Sequence, residues 1–256
     1  MIDNYKSLPL GKYLEICQVC KDTSLEELDR QVKILSILSD MSEDEILHLP
    51  IPKYKEMVAK SKFLEDVDKN EHKAARLYIV GDWQLVPTMD YRKMETAQYV
   101  DFQTFAPMVE THMAELLSCL LIPVGCRYNE GYDILEVQQA LKDKLSVTNA
   151  LSLLAFFFDQ VQRLNEGFSE LLQAGNTEDD GQAEEDGNGG EGQTTDESFG
   201  GKWGWIANVD AVSETCRCSW DHVWRMTALE FLNILSYRKD KLEKQRRDIE
   251  DWKKRN

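Results

Sequence analysis

The chain has 256 residues and a formal charge of −16, with 42% apolar and 30% charged residues, and it is long enough to bury a sizeable core. Nine carboxylates and no Lys or Arg lie between Gly175 and Gly201, which leaves −7 for the rest. That balance excludes a general nucleic-acid binder, which needs a concentrated basic face, and the six irregularly spaced cysteines exclude a disulfide framework.

The opening segment, MIDNYKSLPLGKYLEI, has no basic stretch followed by an apolar run, so no secretory leader is expected. The longest apolar run, 150–158, is too short for a membrane span. KYLEICQVCKD reads as a first helix. Ser24 and Glu27 form a capping-box pattern ahead of LDRQVKILSILSD, where Leu25, Leu28, Val32, Leu35 and Ile37–Leu38 recur at helical spacing. Ser42 with Glu45 repeats the pattern for a short helix that Pro50 ends, and Pro52 opens the next. LYIVGDWQLVP differs: two β-rich runs flank Gly81–Asp82, which predicts a hairpin over about 77–86 with Gly first, as type II′ turns prefer.

A helix is expected from Thr96 to His112 and onward to Leu121, after which Pro123, Gly125 and Gly131 interrupt. Asp133 caps a helix reaching Leu145, and Ser146 caps VTNALSLLAFFFDQVQRLNEGFSELL, apolar on most faces around Phe156–Phe158. The acidic, glycine-rich stretch 175–201 cannot bury enough apolar area to offset ordering and reads as a disordered linker. Beyond it, WIANVDAVSE predicts a short helix, and a long one is expected from Ser219 into the charged C-terminus. There, nine basic and five acidic residues between Arg238 and Asn256 alternate as they would on a solvated helix. No solenoid-type repeat is visible. The fold class is mainly α: a helical N-terminal domain (1–174) with one hairpin, the linker, and a small Trp-rich helical module (202–256) with a long terminal helix.

Chemistry-bearing motifs are scarce. Cys17 and Cys20 form C-x-x-C, and Cys216 and Cys218 form C-x-C; together they spell a tetrathiolate zinc site or a redox pair. The first pair, however, lies in a helical pattern without the Gly or Pro of a zinc knuckle, and buried free cysteine is the plainer reading. His48, His72, His112 and His222 are scattered, and no nucleophile elbow or phosphate loop appears. No catalytic, cofactor or metal residues are nominated, and no enzyme is expected. Trp203, Trp205, Trp220 and Trp224 could stack bases beside Arg217 and Arg225, but Trp224, Ala228, Phe231 and Leu235 follow one helical face, as core residues do. Two apolar sets are candidates for holding a partner helix: Leu151, Leu154, Phe157 and Phe158, and then Trp220, Trp224 and Phe231. For each, internal core is the competing reading.

LPLGKYLEICQVCKDTSLEELDRQVKILSILSDMSEDEILHLPIPKYKEM resembles the opening of tail assembly chaperones from tailed bacteriophages, particularly those of gut-type Bacteroidetes hosts. The likeness continues in YRKMETAQYVDFQTF, ELLSCLLIPVGCRYNEGYD and SVTNALSLLAFFF, and in VDAVSETCRCSWDHVWRMTALEFLNILSYRKDK with its run W-x-M-x-x-x-E at Trp224. The resemblance implies a non-enzymatic protein without cofactor that binds the helical tape measure protein, keeps it soluble and helps recruit tail tube subunits. It implies action in the host cytoplasm, absence from the mature virion, no nucleic-acid or membrane partner, and scope for a homo-oligomer. A structural virion protein sharing the helical domain is the alternative; a thiol zinc-binding or redox protein is the third.

Overall fold

A computed structural model describes residues 1–65, 74–88, 90–168 and 204–255, with the side chain of Tyr91 excepted. The expected linker, 175–201, lies outside these residues, as do Trp203 and the end of the first domain near 174. The chain forms two compact units, one of Met1–Met89 with Asp101–Asp159 and the other of Asp90–Val100 with Gln160–Asn256.

The first unit opens with α1 (Leu10–Lys21), α2 (Glu27–Ser39), α3 (Glu43–Leu47) and α4 (Ile51–Ser61). The Ser42–Glu45 capping box is present: the Glu45 N–H donates to Ser42 Oγ at 3.2 Å, and the Ser42 N–H donates to Glu45 Oε2 at 2.8 Å. The Ser24–Glu27 pattern is not used. Ser24 donates its N–H and hydroxyl to Asp22 Oδ1 instead, and α2 starts two residues later than that cap would place it. A turn made by Asp22 competes locally with the cap and prevails. Val32, Leu35, Ile46 and Met57 bury one cluster between α2, α3 and α4, and Leu8, Ile16, Leu38 and Val147 bury another.

The expected hairpin is β1 (Tyr78–Val80) and β2 (Trp83–Pro87), paired Val80 to Trp83 across Gly81–Asp82, with Gly81 at φ 60°. A third strand, β3 (Leu121–Pro123), adds antiparallel to β2, a pairing the sequence reading leaves as a bare interruption. Pro123 is tolerated because β3 is an edge.

The helix expected from Thr96 to Leu121 is broken. α5 (Thr96–Phe105) ends in a 3₁₀ turn over Ala106–Met108, and α6 (Met113–Ser118) follows. Pro107 has no N–H to donate and disfavours helical geometry at Ala106, which accounts for the break. α7 (Ile134–Lys144) starts at Asp133, whose side chain accepts the Leu135 N–H at 2.8 Å. α7 lies against α1, and the approach is close at Gly11: a Cβ there would meet the Lys142 carbonyl oxygen at 3.0 Å. α8 (Val147–Glu166) is the greasy helix, capped by Ser146 as expected.

The second unit contains α9 (Trp205–Cys216), α10 (Trp220–Arg225) and α11 (Ala228–Arg255). Ser219 caps α10, but the long helix expected from it stops at Arg225. Met226 is extended, and Thr227 forms an antiparallel bridge with Glu95. The Thr96 N–H donates to the Met226 carbonyl at 2.8 Å, and the Ala228 N–H donates to the Met94 carbonyl at 2.8 Å. The bridge supplies partners for backbone groups that a continuous helix would have bonded within itself, so the break leaves them satisfied.

A bridge of the same pattern stands in the first unit. Pro9 pairs with Ser146, the Leu10 N–H donates to the Leu145 carbonyl, and the Val147 N–H donates to the Leu8 carbonyl. In each case a helix begins on the residue after the bridge in both strands.

Candidate functional site

α8 carries the first candidate set, and its residues separate by face. Leu153, Leu154 and Phe157 are buried, with Phe157 fully enclosed. Leu151, Ala155 and Phe158 are exposed, at the i, i+4, i+7 spacing that aligns side chains on one helical face. Phe158 makes an edge-to-face contact with Phe102, ring centroids 5.5 Å apart, so one side of its ring is anchored while the other meets solvent. Of the four nominated residues, Leu151 and Phe158 therefore offer surface, whereas Leu154 and Phe157 are core.

The tryptophan set divides in the same way. Phe231 is fully buried and Trp224 half-buried. Trp220 is 45% exposed and donates its indole N–H to Asp210 Oδ1 at 3.2 Å. Trp205, named from the sequence only among the rings that could stack bases, is the ring that joins this core. It lies 5.6 Å from Tyr99 and 6.4 Å from Phe231, while Tyr99 donates its hydroxyl to Asn165 Oδ1 at 2.9 Å. A helix start at 205 was legible, but its partner Tyr99 lies more than a hundred residues earlier, where no local signal points.

The cysteines do not converge on a reactive site. Cys17 is partly buried, and burial raises its thiol above the ordinary range. Cys216, at the end of α9, is raised as well, first by burial and then by neighbouring Cys218. Cys119 is buried and pushed up to about 12, chiefly by burial. A thiol held protonated is a poor nucleophile and a poor metal ligand at neutral pH. Among the described residues no group of three or more His, Cys, Asp or Glu could hold a metal ion.

Near Cys119 lies a partly enclosed polar pair of the first unit. Tyr128 donates its hydroxyl to Asp101 Oδ2 at 2.6 Å, and burial raises the Asp101 carboxyl above its usual range. Burial also raises the Tyr128 phenol, with Cys119 and Asp101 adding to it. Each member is partnered, and the arrangement reads as an internal tie between α5 and the loop after β3. No described helix is long and apolar enough to cross a membrane.

No family model matches the chain, and no curated protein or solved structure matches it either.

Proposed function

We propose that the chain is a non-enzymatic tail assembly chaperone of a tailed bacteriophage. It holds the helical tape measure protein in the host cytoplasm, keeps it soluble, helps bring tail tube subunits to it, and leaves before the virion is complete. Besides the resemblance, the observation that carries this reading is the exposed apolar face Leu151–Ala155–Phe158 on a helix whose opposite face is fully packed. A rigid helix with one apolar face free is what helix-to-helix capture of an amphipathic client requires. Trp220 provides a second exposed ring on the other unit.

The test is co-expression with the long helical protein encoded beside it. The client is expected to be soluble with this chain, insoluble without it, and largely insoluble with a Leu151→Ser, Phe158→Ser variant that still folds. A client equally soluble in all three arms overturns the proposal. Mass spectrometry of purified virions should lack the chain; stoichiometric amounts there would favour a structural virion protein instead.

A further inference from the structure

α11 continues well past the core it helps to build. Ala228, Phe231 and Leu235 are buried, and Arg238 pairs with Glu214 through both terminal nitrogens at 3.2 Å. From Asp240 to Arg255 every described residue is exposed. Yet the apolar spacing does not stop where the core stops. Ala228, Phe231, Leu235, Leu242, Ile249 and Trp252 occupy the a and d positions of one heptad frame, with Arg238 and Gln245 filling the remaining two. Leu242 and Ile249 are 49% and 54% exposed, and Trp252 more so.

The basic excess follows the same frame. The positions flanking the exposed stripe are Lys241, Arg246, Asp248, Lys253 and Arg255, four basic and one acidic. The outer positions are mixed, the acids Asp240, Glu243, Glu250 and Asp251 standing beside the bases Lys244, Arg247 and Lys254, so the basic excess lies on the flanks. A coiled-coil seam uses its flanking positions to choose a partner, and here those positions carry the net positive charge.

We propose that residues 241–255 form a docking helix for an amphipathic helix of another protein whose seam is flanked by Glu and Asp. The occupant is argued from charge. In parallel self-pairing, Lys241 would face Arg246 of the second copy, offsetting the gain from Asp248 facing Lys253, and antiparallel self-pairing sets mainly basic flanks together. An acidic flank would meet Lys241, Arg246, Lys253 and Arg255 favourably and oppose only Asp248. This surface is on a different helix from the Leu151–Phe158 face and requires no tape measure client.

The experiment uses the full chain and two labelled three-heptad peptides with Leu at every a and d position, one with Glu and the other with Lys at e and g. Fluorescence anisotropy should show the Glu peptide binding about tenfold tighter or more at low salt, with the difference shrinking as salt rises. Leu242→Ser with Ile249→Ser should abolish binding of the Glu peptide while circular dichroism retains the fold. A chain carrying Lys241→Glu, Arg246→Glu, Lys253→Glu and Arg255→Glu should prefer the Lys peptide. Equal binding of the two peptides, no binding of either, or sedimentation showing self-association that Ile249→Ser abolishes would overturn the proposal.

Discussion

Phe157 and Phe158 are adjacent, chemically identical, and assigned opposite roles by the fold, so the pair tests the separation of core from surface on α8. Phe157 is fully enclosed. Its truncation to Ala leaves a cavity that the surroundings close only in part, at a cost of about 4 kcal/mol. Phe158 is 39% exposed. About three-fifths of the ~2–3 kcal/mol that full burial of such a ring contributes is at stake there. The edge-to-face contact with Phe102 adds about 0.5 kcal/mol or more. The sum is about 2 kcal/mol, and no closed cavity forms, because solvent reaches the site. For a chain of this length each 1 kcal/mol moves the melting midpoint by about 2–4 °C, so Phe157→Ala should melt roughly 4–8 °C below Phe158→Ala. Thermal melts followed by near-ultraviolet circular dichroism, run beside the client-solubility assay, separate the two effects. Phe158→Ala should lower client solubility beyond what its modest destabilisation explains. Melting midpoints in the reverse order, or within a degree of each other, would refute the assignment of Phe157 to core and Phe158 to surface.

Gly11→Ala should destabilise the first unit by about 1 kcal/mol in urea melts, since an added Cβ at 3.0 Å from the Lys142 carbonyl oxygen outweighs the helix propensity gained. Thr96→Val removes the buried hydroxyl donor to the Met226 carbonyl at 3.1 Å and should cost about 1 kcal/mol, seen as a lower urea midpoint. Trp220→Ala should shift the midpoint by less than about 1 kcal/mol, because the ring is 45% exposed and its one hydrogen bond reaches exposed Asp210. Asp101 supplies a pH prediction. Burial raises its folded-state value above the ordinary 3.8, so between those two values the folded chain binds more protons than the unfolded one. Its contribution is therefore fully present below the unfolded value and lost as pH rises through the folded one. Asp101→Asn should remove that loss, so the stability of the parent chain relative to the variant rises as pH falls, which urea melts across acidic pH will check.

The elements that the sequence announces are those whose causes are local. The Ser42–Glu45 box, the Gly81 turn, the Asp133 cap and the Ser219 cap each depend on residues within about four positions, and each stands where it was expected. The departures are non-local or competitive. Asp22 captures Ser24 before Glu27 can. β3 becomes a strand only because β2 is there to pair with it. The stop at Met226 is decided by residues 94–96, which no window around the helix contains. Pro107 is the one break with a local cause that the helical reading of 96–121 passes over. The candidate site was legible as a set of large apolar side chains and no further. α8 is apolar on most faces, so periodicity alone cannot tell Phe157 from Phe158, and only the packing against it does.

The two bridges give the units a common plan that no sequence window reveals. In one, Leu8-Pro9-Leu10 pairs with Leu145-Ser146-Val147; in the other, Met94-Glu95-Thr96 pairs with Met226-Thr227-Ala228. Every residue flanking a bridge is buried. The hydroxyl residue of each bridge also caps the helix that follows, Ser146 accepting the Asn149 N–H at 3.4 Å and Thr227 accepting the Glu230 N–H at 3.2 Å. The joint thus meets two needs of a helix start: the bridge bonds the first N–H of each helix, and the Ser or Thr bonds another. Because the paired strands run antiparallel, the helices leave from opposite ends of each bridge, and the buried flanking residues fix where each begins. α8 and α11, the helices that carry the proposed client face and the proposed docking stripe, both start from such a joint. A surface presented to a partner is most useful on an element that does not move on binding, since a pre-ordered helix adds no ordering cost to association. Both exposed apolar stripes therefore stand on helices whose first turn is tied by a bridge and by a hydroxyl cap.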